Sequence, residues 1–398
     1  MWCLGTLTGT TGIVLAGTIT VATVAELQEA VATANNLGGN TTILVQDGTY
    51  TLSNTLYVNA PNVAILGKSS DRTKVIIQGD AMSSSAKVGN VIRVAASSFQ
   101  LSDVTLQKSG WHIIQIVGEA NADTPIIKNC ILRDSYEQLL KVSYNTVNSD
   151  VTSDNGLVEN CLFEYSDGIG PQYYIGGIDA HGSKNWIVRK NTFQNIISPS
   201  ISVAEFAVHF WDPPSSNNLV EKNLIINCDR GIGFGMDGRG NIGGIIRNNM
   251  IYHAVNHGSY GDIGIALMES PNTQVYNNSI FMENSFPWAI MYRFTSTRNV
   301  LVANNLTNKL IVARDGATGK LAGNVTTVVH SWFVNPLVGD LHLTFRINGV
   351  IGTGKQISEL IDDYDGQPRP PATGIDIGAD QYSTGLLSLP PPINLISR

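Results

Sequence analysis

The sequence predicts an all-β solenoid, a coil of short strands in which each sequence repeat forms one turn. Three observations support this prediction. One pattern recurs along the middle of the chain at spacings of 26 to 32 residues. The composition, with 14% charged residues and 39 Gly, favours strands joined by tight turns. At 398 residues, the chain is also longer than one ordinary compact domain, a length that solenoids and barrels do reach.

The two ends of the chain are predicted to lie outside the solenoid. Residues 1–19 form an N-terminal extension, and their apolar run is not preceded by the basic residues that open a secretory signal peptide. Residues 383–398 are rich in Pro and are predicted to be a tail or linker. The solenoid is therefore expected to occupy residues 20–382.

Seven segments repeat one pattern, which reads V-x-N-N-x-I in its fullest form, and no helical periodicity occurs inside the units. They begin at Ile126, Leu157, Ile187, Leu219, Ile245, Gln274 and Leu301. Their fifth residues are Cys130, Cys161, Asn191, Asn223, Asn249, Asn278 and Asn305. Asn tolerates a left-handed backbone at a sharp bend, and stacked Asn side chains can form a hydrogen-bonded ladder. The two Cys of this column are expected to be small buried substitutes. Their spacing would allow a disulfide, but a free pair is favoured.

A second strand follows each repeated turn, and its apolar residues align through eight turns. The inward pairs are Ile114/Ile116, Leu140/Val142, Ile178/Ala180, Val208/Phe210, Ile232/Phe234, Ile265/Leu267, Ile290/Tyr292 and Ile311/Ala313. Because side chains alternate along a strand, the intervening residues point outward. The first outward column then reads Gln115, Lys141, Asp179, His209, Gly233, Ala266, Met291 and Val312. The second reads Val117, Ser143, His181, Trp211, Gly235, Met268, Arg293 and Arg314.

These outward columns predict a functional patch on one flat face. Lys141, Asp179 and His209 should stack in consecutive turns, with His181 and Trp211 beside them. Gly233 and Gly235 should leave a bare floor next to this patch. Arg293 and Arg314 should follow three and four turns beyond Trp211. A merely solvated face is the alternative, but it explains this convergence of residue types less well.

Several long insertions flank the predicted patch. They are residues 144–155, 166–177, 198–207, 236–244 and 254–262. Loops on one side of a rigid scaffold commonly build a binding site, so these could wall the patch into a groove. Tyr173, Tyr174 and Trp211 could then stack on sugar rings, although the two Tyr could equally serve to pack their loop on the body.

Three segments of the chain resemble the right-handed parallel β-helix proteins of the pectate-lyase-like superfamily. These are TVAELQEAVATANNLGGNTTILVQDGTYTL (23–52), the repeated V-x-N-N-x-I turn, and GIDIGADQY (374–382). The resemblance covers residues 20–382 and implies a solenoid of about ten turns with an N-terminal cap helix and a closing segment. Thr23 and Glu26 fit a capping box that would open this helix. The motifs single out no particular family within the superfamily.

The resemblance implies a polysaccharide substrate, and the cationic residues Lys141, Arg293 and Arg314 favour an acidic one. β-Elimination is then the expected reaction, in which a base removes the proton α to a carboxylate and a cation stabilises the resulting charge. Lys141 beside Asp179 is expected to stay protonated and to act as that cation. His181 or His209 would act as base or acid, because histidine titrates near neutral pH.

The role of Asp179 and the need for a metal stay open at this point. Asp179 could orient His209 or Lys141, or it could help to hold Ca²⁺. Many lyases of the superfamily use Ca²⁺, so the resemblance permits this cofactor, but the outward columns contain no dense cluster of Asp. No metal ligand is assigned.

Other functions are compatible with the same residues. A glycoside hydrolase would pair Asp179 with a second carboxylate, from the candidates Glu205, Asp212, Asp237 and Glu269. A carbohydrate-binding surface protein without catalysis would need Trp211 and the Tyr residues but not Lys141, Asp179 or His181. An epimerase that acts by similar proton abstraction also fits.

The partners follow from charge and hydropathy. A net charge of −7 argues against a nucleic-acid partner, because binding to phosphate needs a basic surface. The chain contains no apolar run of about 20 residues, so no membrane span is expected. The resemblance implies an extracellular or cell-surface location in a bacterium. The oligomeric state is left open.

Overall fold

Short apolar strands separated by residues with a left-handed backbone make this chain coil around one axis. The structure is a computed structural model that describes residues 17–255, 262–369 and 374–383. Each turn contributes one strand to each of three parallel sheets. Two of these sheets contain ten strands each, which confirms the predicted right-handed solenoid of about ten turns.

Strands dominate the regular structure of the described residues. The helices in this part of the chain are α1 (Val24–Asn36) and three 3-10 helices, Gly118–Ala120, His330–Trp332 and Pro336–Val338. The strands are β1 (Gly17–Val21), β2 (Thr41–Val45), β3 (Gly48–Thr51), β4 (Leu56–Val58), β5 (Val63–Gly67), β6 (Val75–Gln78), β7 (Ile92–Val94), β8 (Gln100–Ser102), β9 (Thr105–Ser109), β10 (Ile114–Val117), β11 (Ile126–Lys128), β12 (Ile131–Ser135), β13 (Leu140–Ser143), β14 (Leu157–Glu159), β15 (Leu162–Glu164), β16 (Ile178–His181), β17 (Ile187–Arg189), β18 (Thr192–Gln194), β19 (Phe206–Trp211), β20 (Leu219–Glu221), β21 (Leu224–Ile226), β22 (Arg230–Phe234), β23 (Ile245–Arg247), β24 (Met250–His253), β25 (Ile265–Met268), β26 (Gln274–Tyr276), β27 (Ser279–Met282), β28 (Trp288–Arg293), β29 (Val300–Ala303), β30 (Leu306–Thr307), β31 (Leu310–Arg314), β32 (Gly319–Ala322), β33 (Phe333–Asn335) and β34 (Asp340–Leu343).

The three sheets run along the solenoid. Sheet A has twelve strands in the order β1-β2-β5-β8-β11-β14-β17-β20-β23-β26-β29-β32. Sheet B has the order β3-β6-β9-β12-β15-β18-β21-β24-β27-β30, and sheet C has the order β4-β7-β10-β13-β16-β19-β22-β25-β28-β31. β33 and β34 form a separate antiparallel pair.

The predicted Asn ladder exists at the corner between sheets A and B. In Asn223, for example, the Oδ1 atom accepts hydrogen bonds from the backbone N–H and the Nδ2 of Asn191, at 3.1 and 3.0 Å. The ladder continues to Asn324, one turn further than predicted. Cys130 and Cys161 are buried free thiols in the same column, which confirms the prediction of a free pair over a disulfide.

The left-handed residue of each corner is not the one expected. It lies one position before the ladder, at Asn129, Asn160, Lys190, Lys222, Asn248, Asn277 and Asn304, with φ between 49° and 56°. The ladder side chains instead point into the body, where they bond to their neighbours. Two Lys therefore adopt a conformation that L-residues generally avoid, and the stacked turns above and below must hold them there.

The register of sheet C agrees with the prediction through all eight turns. Lys141 pairs with Asp179, Asp179 with His209, and His209 with Gly233. The inward residues Ile178 and Val208 have no exposed surface. Burial of each such aliphatic side chain contributes about 1.5–3 kcal/mol, so a slip of one residue is strongly disfavoured.

The N-terminal cap also agrees with the prediction. The Thr23 hydroxyl accepts a hydrogen bond from the Glu26 N–H, and the Glu26 carboxylate accepts one from the Thr23 N–H, which completes the capping box. The helix buries Leu27, Ala30, Val31 and Ala34 against the first turn. β1 begins at Gly17, three residues before the predicted start of the solenoid.

The closing segment does not lie over the end of the solenoid. The side-chain amide of Asn277 donates to the carbonyls of Asp376 and Gly378, and Ala379 N–H donates to the Ser279 hydroxyl. The C-terminal segment, which we define as residues 326–369 and 374–383, thus packs along the side of the solenoid. Its apolar residues Val328, Phe333, Leu341 and Leu343 cover the outer face of sheet B. Residues 1–16 and 384–398, which contain most of the predicted extension and tail, lie outside the described residues.

Candidate functional site

Sheet C brings the predicted patch together at one Lys side chain. Lys141 Nζ lies 2.5 Å from Asp179 Oδ2 and 2.6 Å from His181 Nε2. The side chains of Lys141 and His181 are 12% and 14% exposed, whereas Asp179 is buried. Both side chains therefore keep a small exposed surface on the outer face of sheet C, whereas the carboxylate that contacts them is enclosed.

Two further residues extend this contact sideways. His181 Nδ1 lies 2.7 Å from Asp212 Oδ2, and Asp212 Oδ1 lies 3.3 Å from Arg239 Nε. We call Lys141, Asp179, His181, Asp212 and Arg239 the charged array. Asp212 directly follows β19 and has a left-handed backbone, with φ of 66°, which turns the chain out of the sheet. Arg239 comes from the loop at 236–244 and is 47% exposed.

The contact between Lys141 and His181 can hold only one proton. An ammonium group has donors only, and a protonated Nε2 is also a donor, so two protonated groups cannot face each other at 2.6 Å. With one shared proton, the pair carries one positive charge. Together with Arg239 it then balances the carboxylates of Asp179 and Asp212, and the charged array is neutral.

The pKa values of the array follow from its contacts. Burial raises the pKa of Asp179, but the one positive charge that Lys141 and His181 share outweighs burial and holds this pKa well below 3.8. Burial lowers the pKa of His181, but hydrogen bonds to Asp179 and Asp212 outweigh it and raise this pKa above 6.5. On the far side of Lys141, burial and the Lys141 charge lower the pKa of His112 to about 3, so that imidazole is neutral.

Trp211 supports the array and does not offer an open platform. Its Nε1 donates to Asp179 Oδ1 at 2.6 Å, so both carboxylate oxygens of Asp179 are bonded. Its ring stacks on His209 with centroids 5.1 Å apart, and the Arg239 guanidinium lies 3.8 Å from the ring centroid. Only 8% of Trp211 is exposed. In this arrangement the ring has almost no surface on which a sugar could stack, contrary to the prediction.

His209 is in the predicted register but is enclosed by its neighbours. It is 1% exposed, its Nε2 lies 3.1 Å from the Gly235 carbonyl, and burial lowers its pKa. Its Nδ1 has no hydrogen-bond partner and lies 3.8 Å from a Glu205 carboxylate oxygen. A polymer on the surface cannot reach this imidazole as placed, and the imidazole ring packs against the Trp211 ring instead.

The predicted glycine floor is covered. A Cβ atom built on Gly233 would lie 2.8 Å from the Phe206 ring and 2.9 Å from the His209 ring, so both rings occupy that space. At Gly235, with φ of 74°, a Cβ atom would lie 1.8 Å from the Met268 carbonyl. Both positions need Gly for close packing and for a turn, and neither presents a surface to a ligand.

The remaining predicted residues lie apart from the charged array. Arg293 forms an ion pair with Asp315 at 2.7 Å, and Arg314 lies 4.7 Å from the ring centroid of Trp288. They follow Trp211 by three and four turns, or about 14 and 19 Å at the usual strand spacing. Tyr173 and Tyr174 are exposed. Their roles in binding substrate stay predictions.

A groove of about 490 Å³ lies at the opposite end of the same strands. Its lining residues are Tyr173, Ile201, Ser202, Val203, Glu205, Arg230, Asp262 and Phe286. Burial raises the pKa of Asp262. The insertions at 166–177 and 198–207 therefore wall a groove that contains no residue of the predicted patch, whereas the prediction placed their groove over that patch. Tyr173 is the aromatic residue that they contribute to it.

Sequence reasoning did not single out Arg239 or Tyr144. The Tyr144 ring stacks on His181 with centroids 6.0 Å apart, and burial and Asp212 raise its pKa. Both residues lie in insertions that were expected to wall the patch. This location was the only feature of the sequence that could have pointed to them. Asp212 was considered only as a hydrolase carboxylate, and its contact with His181 depends on the turn after β19.

The charged array does not suit Ca²⁺. That ion takes six to eight oxygen ligands in proteins. Asp179 is bonded to Lys141 and Trp211, and Asp212 to His181 and Arg239. Two carboxylates that are already paired with cations cannot supply such a shell, so no step of the proposed chemistry uses Ca²⁺.

The three-sheet coil agrees with comparisons to known proteins. Residues 90–261 and 176–344 match the model of the right handed beta helix region. The chain belongs to this family. Pectate lyase Pel9A is 12% identical to this family member, with a TM-score of 0.52, and the match covers 94% of this chain and 98% of that one. A search of the curated proteins finds no match.

Two other similar structures have lower TM-scores. Pectin methylesterase PemA from Erwinia chrysanthemi is 12% identical, with a TM-score of 0.35 over 68% of this chain and 80% of that one. The PL6 family alginate lyase AlyGC is 12% identical, with a TM-score of 0.36 over 92% of this chain and 58% of that one. The reaction of this chain has to be argued from its own site. Among the described residues, no helix is long and apolar enough to cross a membrane.

Proposed function

We propose that this β-helix protein is a carbohydrate-active enzyme that cleaves a uronate-containing polysaccharide by β-elimination at the charged array. The observation that carries the proposal is the contact of 2.6 Å between Lys141 Nζ and His181 Nε2. At the surface of an otherwise satisfied network, it provides one neutral nitrogen and one protonated nitrogen side by side. β-Elimination needs a base and an acid of this kind.

We call Lys141 Nζ and His181 Nε2, with the one proton that they share, the proton pair. This pair can complete the reaction without a further reactant. The neutral nitrogen takes the proton from the carbon α to the uronate carboxylate. The electron pair left on that carbon forms a carbon–carbon double bond as the bond from the β carbon to the glycosidic oxygen breaks. The protonated nitrogen gives its proton to the leaving oxygen. The pair then still holds one proton, and a transfer across 2.6 Å restores the starting state.

The rest of the array supplies charge and orientation. Asp212 accepts the Nδ1 proton of His181 and so keeps Nε2 directed at Lys141. Arg239 presents an exposed guanidinium beside the pair, where it can bind the uronate carboxylate as charge develops on it. This arrangement replaces the expectation that Lys141 is only a fixed cation: it is one half of the proton pair, and Arg239 takes the stabilising role.

A second candidate function rests on the groove. Glu205 and Asp262 both line it, and burial raises the pKa of Asp262. A glycoside hydrolase requires two carboxyl groups in one groove, one of them with a raised pKa. Asp179 suits that role less well, because it is buried, its two oxygens are bonded, and its pKa is lowered. A polymeric substrate of either kind fits the predicted extracellular or cell-surface location.

An activity screen separates these functions. Purified protein would be incubated with acidic polysaccharides and with neutral glucans and xylans, with and without Ca²⁺, while ultraviolet absorbance and reducing ends are both followed. New absorbing ends that vanish in Lys141→Met and persist in Glu205→Gln support elimination at the array. Reducing ends without absorbance, with the opposite response of the two variants, support hydrolysis in the groove. Binding without turnover in every case would overturn both proposals.

A further inference from the structure

A second cluster of ligand-type side chains lies in the C-terminal segment, away from sheet C. His342 stands on β34, while Asp365 and Asp380 come from two later stretches without regular structure. One ligand atom of each residue lies within 4.8 Å of the others. Three parts of the segment that are distant in sequence therefore converge on one point.

The imidazole in this cluster is held in a metal-binding orientation. His342 Nδ1 lies 2.5 Å from Asp340 Oδ1, which directs the other nitrogen, Nε2, at Asp365 Oδ2, 2.8 Å away. A carboxylate on the far nitrogen is the usual partner of a metal-ligating histidine, since it fixes the ring and its tautomer. Asp380 is also oriented, because one of its oxygens accepts the Leu343 N–H at 2.9 Å.

The charges around the cluster give an independent reason to expect a cation. Asp380 is 6% exposed, and among the described residues no Lys or Arg forms an ion pair with it. The buried Arg369 is close in sequence but donates to the carbonyls of Asp376, Gly378 and Ala379. Buried carboxylates are normally paired with a cation or bound to a metal. In this cluster, His342 is the one side chain that can carry a positive charge, and it faces three carboxylates, those of Asp340, Asp365 and Asp380.

We propose that His342, Asp365 and Asp380 bind a divalent transition-metal ion, with Zn²⁺ as the representative case. One imidazole nitrogen and two carboxylate oxygens suit such an ion, with solvent in the open fourth position. Ca²⁺ and Mg²⁺ prefer oxygen ligands throughout and are disfavoured by the histidine. The ion would link β34 to Asp365 and Asp380. It would thereby stabilise the packing of the C-terminal segment on sheet B. This inference does not depend on the proposed polysaccharide activity.

The test measures Zn²⁺ binding to the full chain after treatment with a chelator. Isothermal titration should give one site in the wild-type protein. His342→Gln and Asp380→Asn should each weaken that site by at least about tenfold, as loss of supporting or direct ligands does in metal sites. His330→Gln is the matched control, because His330 is an exposed histidine of the same segment outside the cluster, and it should bind as the wild type does.

Hydrogen exchange completes the test and guards against misfolded variants. Zn²⁺ should slow the exchange of backbone amide hydrogens selectively in the C-terminal segment of the wild-type protein and leave exchange in sheet C unchanged. Asp380→Asn keeps the shape of the side chain, so its exchange without metal shows whether the segment still folds. The proposal is overturned if folded Asp380→Asn binds Zn²⁺ as tightly as the wild type does, or if the metal-free wild type binds none. In that case, a protonated His342 held between two carboxylates accounts for the cluster.

Discussion

Two regions of sheet C share one backbone and differ on their outer face. In the turns that contain β13, β16 and β19, the outward residues are Lys141, Asp179 and His209, and Lys141 is bonded to Asp179. In turns β25, β28 and β31, the same column contains Ala266, Met291 and Val312. These pack in an apolar cluster that also includes Phe206, Ile263, Phe286 and Trp288. The inward columns are apolar and buried in turns β13 to β28 of the sheet.

The difference shows how a solenoid separates folding from function. The inward residues repeat along the solenoid, the Asn ladder runs from Asn191 to Asn324, and together they set the register. Each outward position can then change without disturbing its neighbours along the chain, because side chains of a strand alternate between the two faces. The charged region can hold a reactive pair, whereas the apolar region offers no titratable group in the same column.

The largest expected effect is the loss of the proton pair. Lys141→Met should lower kcat by about 10²–10⁴ on the substrate that the screen identifies, because it removes one member of an acid–base couple. Met291→Leu, a matched change in the apolar region of the same column, should leave kcat within about twofold of the wild type. Steady-state kinetics would compare the two. A Lys141→Met enzyme with more than a tenth of wild-type kcat would break the distinction between the regions.

That variant also leaves Asp179 buried without its cation, which by itself costs about 3–5 kcal/mol of stability. The double variant Lys141→Met/Asp179→Asn removes the charge as well. Circular dichroism of both proteins would show whether lost activity reflects lost chemistry or lost structure.

The inward columns should respond alike in the two regions. Ile178→Ala and Ile290→Ala both empty a fully buried site, so each should lower the free energy of unfolding by about 2–5 kcal/mol. Urea denaturation of the two variants would measure this. A cost at one position that exceeds the other by more than about 2 kcal/mol would mean that the array or the apolar cluster contributes to the core, and the separation of faces would fail.

The pH profile of the charged region should depend on Asp212. The hydrogen bonds to Asp179 and Asp212 raise the pKa of His181 against the effect of burial, so loss of the Asp212 charge should lower that pKa. The proton pair works only while it holds one proton, which predicts a bell-shaped dependence of kcat/KM on pH. In Asp212→Asn the limb that reports His181 should shift to lower pH. An unchanged profile, measured in buffers of constant ionic strength, would remove Asp212 from the proposed array.

The smallest effect concerns the exposed guanidinium. Arg239→Gln should lower kcat/KM for an acidic polymer by about tenfold, since a charge-assisted hydrogen bond is worth roughly 1.5 kcal/mol. Arg314→Gln, at the far end of the apolar region, should change kcat/KM by no more than about threefold. If the two variants had equal effects in a kinetic comparison at constant salt, one long site that binds the anionic polymer would extend across both regions.

Local sequence patterns were sufficient for the register and the ladder. Ile178 and Ala180 could be assigned to the core, and Lys141 placed next to Asp179, because the strand alternation and the repeat spacing restrict each position independently. The capping box at Thr23 was readable for the same reason, since its two partners are three residues apart. The left-handed backbone of Lys190 could not be predicted from the sequence, because the stacked turns override the preference of a Lys residue for negative φ.

The sites themselves depend on contacts between segments that no periodicity relates. The contact of Asp212 with His181 depends on the turn after β19, and that of Arg239 with Trp211 depends on how the insertion at 236–244 folds over the sheet. The burial of Trp211 and His209 and the lateral path of GIDIGADQY depend on the same kind of packing. Alternation along a strand decides which way a side chain points, and so the sequence alone predicts the columns. Which side chains finally touch, and with what pKa, is a property of the folded loops, because it depends on distances and burial that exist only in three dimensions.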